Sequence, residues 1–185
     1  MTSTHTRQPR VGDIITNPVH GETVKWLEIG SADSMTRFEF TADPQASGPP
    51  AHIHPQSHER FRVLSGAVLL KAGREERVVE PGEDVSVAPG TSHTWHNHTD
   101  EPAVVLVEMD PGFTCAQFLD EWFELARAGL LNSKGDLGVF RSAMLFYPHA
   151  DIMAVPGIPL GLQRTVMRSL SWLGRRRGLS PRGGG

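Results

Sequence analysis

Histidines are concentrated in the middle of this 185-residue chain, where six of the nine lie between residues 52 and 98. The first group contains His52 and His54, and Glu59 follows a few positions later. Because alternate residues of a β-strand point to the same face, these two imidazoles can reach one common point. Two imidazoles and a nearby carboxylate suit a divalent transition metal, so the pattern indicates a metal site.

In the second group, His93, Trp95 and Asn97 alternate with His96 and His98. On a strand, the first three side chains share one face and the other two share the opposite face. If His93 faces the protein interior, Trp95 faces it as well. We therefore expect His96 and His98 to lie on the opposite face from His93 and to face solvent.

The same alternation applies to the segment that begins at Glu59. If Glu59 points inward, Phe61 and Val63 also point inward, whereas Arg60 and Arg62 point outward. Apolar walls around one polar centre are common in small-molecule sites. Such walls would accept an aromatic or flat apolar substrate better than a sugar.

Composition excludes several classes of protein. The 19 glycines and 14 prolines favour a turn-rich β-protein over a helical bundle. A single cysteine, Cys115, excludes an intrachain disulfide and a Cys-based zinc cluster, and we expect a buried thiol there. The net charge of -3 argues against nucleic-acid binding. The chain shows neither a secretory leader nor an apolar run of about 18 residues, so we expect a cytoplasmic protein.

Short apolar or alternating runs between Gly, Pro and Asp predict a series of strands. They cover residues 24–29, 35–41, 59–64, 67–71, 77–79, 85–87, 93–97 and 104–108. Many short strands at close spacing favour a β-sandwich or a small barrel.

The pattern changes after residue 110. Thr114 is a candidate helix N-cap, and apolar residues then recur at spacings of three and four until Gly129. A second apolar stripe runs from Leu162 to Leu173. The expected organisation is an N-terminal arm (1–23), a β-barrel (24–110), a helical extension packed on the barrel (111–175) and a flexible basic tail (176–185).

The last part of the chain, residues 152–185, is strongly basic, with six arginines and no acidic residue. A basic helix that contains Trp172 could lie on an anionic membrane. We favour the alternative, in which this helix covers the barrel and its arginines are solvated.

The spacing of the first histidine group resembles the first motif of the cupin superfamily. That motif has two histidines in HxH, a glutamate after three or four residues, and a glycine after six more. Here the corresponding residues are His52, His54, Glu59 and Gly66. The preceding glycine, Gly48, is separated from His52 by three residues instead of the usual five.

The second group resembles the second cupin motif. Gly82, Gly90, His93 and Asn97 follow in the expected order. Ala88 stands where a proline is usual, and a proline follows one place later. These departures affect loop geometry and leave the implied ligands in place.

The resemblance, which covers about residues 24–110, implies a mainly β fold. That fold is a double-stranded β-helix, or jelly-roll cupin barrel, followed here by C-terminal helices. It also implies that His52, His54, Glu59 and His93 hold one divalent transition metal and leave two positions open. Fe, Mn, Ni, Co, Cu and Zn are all compatible with this ligand set.

The resemblance favours a metal-dependent enzyme that acts on a small organic, apolar or aromatic substrate. The leading version is an oxygenase in which Glu59 also acts as catalytic base, and Phe61, Val63 and Trp95 line the substrate pocket. A non-redox cyclase or isomerase and a non-catalytic small-molecule-binding cupin are the alternatives. The resemblance also implies a homodimer, so the expected partners are a small-molecule substrate and a second copy of this chain.

The other histidines carry weaker signals. His58, beside Glu59, is a candidate supplementary ligand, although we favour an exposed position for it. His5, His20 and His149 have no motif around them, and we expect them at the surface.

Overall fold

Two antiparallel sheets form the body of the protein in the computed structural model, which describes residues 8–132 and 135–180. The nine strands are β1 (Ile14–Asn17), β2 (Glu22–Glu28), β3 (Thr36–Ala42), β4 (His58–Ser65), β5 (Val68–Ala72), β6 (Glu75–Val79), β7 (Asp84–Val87), β8 (His93–His96) and β9 (Ala103–Asp110). The larger sheet has the order β1-β2-β3-β9-β4-β7, and the smaller has the order β6-β5-β8.

Alternating side chains build the core of this barrel. Every second residue of β3 and of β9 is buried, as a strand with one inward face requires. Trp26 and Val63 are completely buried, and the ring of Trp26 packs edge-on against Phe38 at 5.3 Å between centroids. This mainly β barrel of two antiparallel sheets, followed by C-terminal helices, is the architecture that the sequence predicts.

Each predicted strand overlaps an observed one, but the sheet begins earlier than residue 24. β1 lies inside the segment expected to be an arm, and it pairs with β2 in the register Ile14↔Lys25 to Asn17↔Glu22. Parts of the predicted arm and tail, residues 1–7 and 181–185, lie outside the described residues.

Three helices follow the barrel: α1 (Cys115–Arg127), α2 (Val139–Phe146) and α3 (Leu160–Arg176). α1 and α3 correspond to the two predicted apolar stripes, whereas α2 was not predicted. α2 and α3 pack closely, because a Cβ at Gly174 would lie 3.1 Å from both Met144 and Phe140. Among the described residues, none of the helices combines the length and apolar character that a membrane crossing requires.

The segment between α2 and α3 returns to the barrel. Ile53 and Ala154 form an antiparallel bridge, with N–H···O distances of 2.9 and 3.0 Å in the two directions. On the other side of the same loop, the backbones of His52 and His93 bridge at 3.1 and 2.9 Å. The histidine loop is therefore held between the barrel and the C-terminal extension, which we define as residues 111–180.

Candidate metal centre

Four ligand-type side chains converge inside the barrel: His52, His54, Glu59 and His93. All four are buried, and one potential ligand atom from each lies within 4.8 Å of the other three. The structure thus brings together the four predicted ligands, although they are separated by up to 41 positions in the chain. The cluster is consistent with one bound metal ion.

Strand registration positions these residues. Glu59 is the second residue of β4, where it pairs with Met109 of β9 and Val87 of β7 and so points into the barrel. His93 is the first residue of β8. His52 lies opposite His93 through the backbone bridge, which places their two rings 4.3 Å apart.

Backbone carbonyls fix the tautomer of all three imidazoles. Each ring donates its Nδ1–H to a carbonyl oxygen, which can only accept. The acceptors are Pro50 for His52 (3.0 Å), Thr91 for His93 (3.0 Å) and Ile152 for His54. In the neutral form of each ring, Nε2 then carries the lone pair through which a histidine binds a metal.

The contacts of Glu59 also fit a shared cation. Its Oε2 lies 3.1 Å from His54 Nε2 and 2.8 Å from His93 Nε2. The contact with His93 lacks hydrogen-bond geometry, so this buried nitrogen has no hydrogen-bond partner among the described residues. With neutral rings, the imidazole lone pairs and the carboxylate oxygen would repel one another, and a cation bound between them would remove that repulsion.

Burial and mutual proximity set the charge of the cluster. Burial lowers the pKa of His52 to about 3, and the neighbouring His93 and His54 contribute in the same direction. Burial alone would raise the pKa of Glu59, but the positive charge and the Nε2–H groups that His54 and His93 carry when protonated outweigh it and hold that pKa well below its usual value. A neutral His52 and an ionised Glu59 are the forms that ligate a metal.

An inner cavity of about 60 Å³ adjoins this cluster and is lined by His52, His54 and Glu59 together with apolar side chains. Phe61 and Trp95, which we expected in the walls of a substrate pocket, line this cavity. Val63 was expected there too. It is buried two residues further along β4, and it lines neither this cavity nor the outer cavity described below.

The position of Trp95 depends on the glycine that precedes the first motif. A Cβ at Gly48 would lie only 2.4 Å from Trp95 Nε1, so a larger residue would displace the indole. The ring instead stacks on Phe40 with 4.7 Å between centroids. Gly48 therefore shapes the wall of the inner cavity.

Asn97, the last residue of the second motif, has a structural role. Its side chain is fully buried, and its Nδ2 donates to the carbonyls of Ala42, Asp43 and Glu101. Its Oδ1 accepts from the backbone and hydroxyl of Thr99. These bonds join the end of β8 to the end of β3.

A second, outer cavity of about 340 Å³ lies between the barrel mouth and the C-terminal extension. Residues 49–52 form its barrel side, and all three helices contribute to the other walls. Pro49, His52, Trp122 and Met153 line both cavities, so the two adjoin at the candidate metal centre. Most of the outer wall is apolar.

The two histidine groups contain three further histidines, which lie outside the cluster. His58 is exposed on the face of β4 opposite Glu59, in the position that we favoured. His98 is exposed, and His96 is half-buried, with its Nδ1 2.9 Å from Ser47 Oγ.

The expectation of a surface position is wrong for His149. Its ring is buried, with Nδ1 2.9 Å from Thr114 Oγ1 and Nε2 3.3 Å from Glu121 Oε2. His20 is half-buried, and His5 lies outside the described residues. Cys115 is a buried thiol, as predicted.

Comparison with known families identifies residues 38–109 as a match to the Cupin_2 family, described as a cupin domain. This range runs from within β3 to within β9. It contains all four residues of the candidate metal centre.

Three curated fungal proteins are similar to this chain over longer ranges. "Oxidoreductase iacF" of Pestalotiopsis fici is 28% identical over 139 residues, which cover 70% of this chain and 68% of the relative. "Probable oxidoreductase virH" of Hypocrea virens is 30% identical over 141 residues, with 69% and 62% covered. "Probable oxidoreductase patJ" of Penicillium expansum is 27% identical, and only 35% of its length is matched.

Solved structures give weaker likenesses. KdgF from Halomonas sp. is 21% identical with a TM-score of 0.47, and the match covers 54% of this chain and 87% of that one. An RmlC-like cupin from Shewanella frigidimarina is 17% identical with a TM-score of 0.48, with 59% and 92% covered. Both TM-scores are below 0.5, so neither structure indicates a function for this chain.

Proposed function

Because residues 38–109 of this chain are a cupin domain, we propose that the protein is a metal-dependent oxidoreductase for a small, mainly apolar organic molecule, and specifically an oxygenase. One observation carries the proposal. Three imidazoles, each fixed by a backbone carbonyl, point their free nitrogens at a buried carboxylate beside an apolar cavity. The names of the similar fungal proteins support redox chemistry.

The ligands of the metal would be the Nε2 atoms of His52, His54 and His93 and a carboxylate oxygen of Glu59. A bound divalent metal would supply one-electron redox and Lewis-acid chemistry at this point. The protein supplies a rigid donor set, because the Nδ1 anchors hold the rings before any ion arrives. Such preorganisation also favours one coordination geometry over others.

The surrounding side chains would bind the substrate and exclude water. The outer cavity, at about 340 Å³, lies within the range of roughly 300–1,000 Å³ that is typical of small-molecule sites. The apolar body of the substrate would occupy it, and the reacting group would reach the inner cavity past His52. Glu59, whose side chain lines the inner cavity, would be the candidate base for a hydroxyl of the substrate.

Metal analysis tests the ligand set directly. The wild-type chain and the variants His52→Ala, His93→Ala and His58→Ala are loaded with Fe(II), Mn(II) or Zn(II), and bound metal is then measured. We expect about one equivalent in the wild type and in His58→Ala, whose exposed ring lies off the cluster. The other two variants lose affinity by orders of magnitude. Equal, negligible metal in all four proteins would overturn the proposal.

Oxygen dependence tests the kind of reaction. Substrate-dependent O2 uptake by the Fe(II)-loaded protein is measured across a panel of hydroxylated aromatic and alicyclic compounds. We expect turnover to stop when O2 is removed, because an oxygenase consumes it. Turnover that continues without O2 would contradict the oxygenase and favour a cyclase or isomerase on the same centre.

A further inference from the structure

A second buried carboxyl group, that of Glu22, lies in the wall of the inner cavity. Glu22 is the first residue of β2, where it alternates inward with Val24 and Trp26 and is 8% exposed. His52, His54 and Glu59 line the same cavity. The mechanism described above makes no use of Glu22.

The surroundings of Glu22 do not stabilise a carboxylate. Within the described residues, the only hydrogen bond of its carboxyl group is a long one, 3.5 Å, from Asn17 Nδ2. No lysine or arginine is found among the described residues that line the cavity, whose other ionisable groups are the cluster residues and Cys115. Burial raises the pKa of Glu22 to about 8. The group is therefore mainly a neutral acid at neutral pH, and its O–H can donate.

The orientation of Asn17 assigns the hydrogen. Asn17 Oδ1 accepts from the backbone N–H groups of Val19 and His20 at 3.1 and 3.3 Å, so Nδ2 must face Glu22. Glu22 Oε2 then accepts from Asn17, and the acidic proton resides on Oε1. No hydrogen bond to Oε1 is found among the described residues.

The turn between β1 and β2 does not explain why an acid occupies this position. Asn17 Oδ1 already binds the turn through two backbone N–H groups, and Glu22 contributes only the long contact. Neighbouring wall residues, such as Val24 and Phe40, are apolar. A buried carboxyl without a strong partner is unfavourable, whereas an apolar residue at the same place would pack without that cost.

We propose that Glu22 binds the substrate by donating a hydrogen bond from its carboxyl group to an oxygen atom of the organic molecule. The ligand class is then an apolar molecule with a carbonyl, phenol or ether oxygen that reaches the inner cavity. This inference rests on the proposed function, since it places the substrate beside the metal centre. Glu22 is the polar contact that orients the substrate within an otherwise apolar wall.

Infrared spectroscopy tests the protonation state without any substrate. Spectra of the full chain at pH 7 are compared with those of Glu22→Gln and of the control Glu28→Gln, whose side chain on the same strand is 50% exposed. We expect Glu22→Gln alone to lose a carbonyl stretching band of a protonated carboxyl group. If neither variant loses such a band, the inference is overturned.

A pair of probes of similar shape tests the hydrogen bond. Binding of acetophenone, which has an acceptor oxygen, and of α-methylstyrene, which lacks one, is measured on the Zn(II)-loaded wild type, Glu22→Gln and Glu22→Met. We expect Glu22→Met to weaken acetophenone binding about 3- to 10-fold and to leave α-methylstyrene unchanged. In the wild type, the acetophenone carbonyl band also shifts to lower frequency.

The outcomes separate the two proposals. Equal loss for both probes, no loss for either, or no binding of acetophenone to the wild type overturns the role of Glu22. Metal content is measured on the same samples, and we expect it to be equal in the wild type and both variants. If the wild type holds no metal and Glu22→Met still loses acetophenone binding selectively, the metal-dependent function alone is overturned.

Discussion

The barrel and the C-terminal extension contribute to the candidate metal centre in different ways. The barrel provides the four candidate ligand side chains, at spacings that resemble the cupin motifs. The described part of the extension provides the carbonyl of Ile152, which receives His54 Nδ1–H, and parts of the walls of both cavities. A site can therefore depend on a region that contains none of its ligands.

The largest expected effect tests whether the two regions unfold together. Phe118 of α1 is 2% exposed, and its ring contacts those of Trp122, Phe146 and His149 at 5.6–5.8 Å. Phe118→Ala should lower the free energy of unfolding by about 3–5 kcal/mol in one cooperative transition. Urea denaturation is followed by circular dichroism and tryptophan fluorescence. An early separate transition that leaves the barrel folded would show that the extension is an independent unit.

The second prediction concerns Glu22, a barrel residue in a cavity that Trp122 and Phe123 of the extension help to close. Its pKa rises from 4.5 to about 8 on folding, so the folded state binds more protons between these pH values. The free energy of unfolding therefore decreases as pH rises through this window. Glu22→Gln should remove a decrease on the order of 4 kcal/mol, at about 1.4 kcal/mol per pKa unit.

Denaturation of the wild type, Glu22→Gln and Glu28→Gln at pH 5 and pH 8 measures this difference. Glu28→Gln should keep the pH dependence of the wild type, because its side chain is half exposed. A Glu22→Gln protein with an unchanged pH dependence would contradict the buried neutral acid.

The smallest expected effect isolates the contribution of the extension to the metal centre. Ala154→Pro removes the N–H that bonds to Ile53, two residues after the carbonyl that anchors His54. We expect metal affinity to fall about 10- to 100-fold, as is typical when the partner of a ligand is disturbed. Ala154→Ser keeps the N–H and serves as the control in a competition titration with a chelator. Equal affinities would mean that the barrel alone orients His54.

The sequence predicts the barrel well, because the types of its side chains and their alternation along the chain determine it. Alternation identifies the strands, and the motif spacings identify the four residues that converge. β1 was missed because Ile15 is the only apolar residue on its inward face, which Asn17 shares, while Ile14 is exposed. α2 was missed because it has eight residues and begins after Gly138 without a side-chain cap.

Other functional features leave little or no signal in the sequence. The contribution of Ile152 is a carbonyl oxygen, which every residue has, so residue type cannot reveal it. His149 is buried by partners 28 and 35 positions away, and no local pattern marks such contacts. The inward position of Glu22 could have been predicted, because Glu22 alternates in phase with Val24 and Trp26. Acidic residues are mostly exposed, however, so the residue type alone predicts a position in solvent.

The contact between His54 and Ile152 has a consequence for biosynthesis. Their positions differ by 98 residues, so the ribosome delivers the whole ligand set well before the oxygen that orients one of its rings. A nascent barrel would meet cellular metal ions with His54 still free to rotate. If the cluster binds a metal as we propose, the orientation of His54 by this carbonyl would require the chain to extend beyond residue 152.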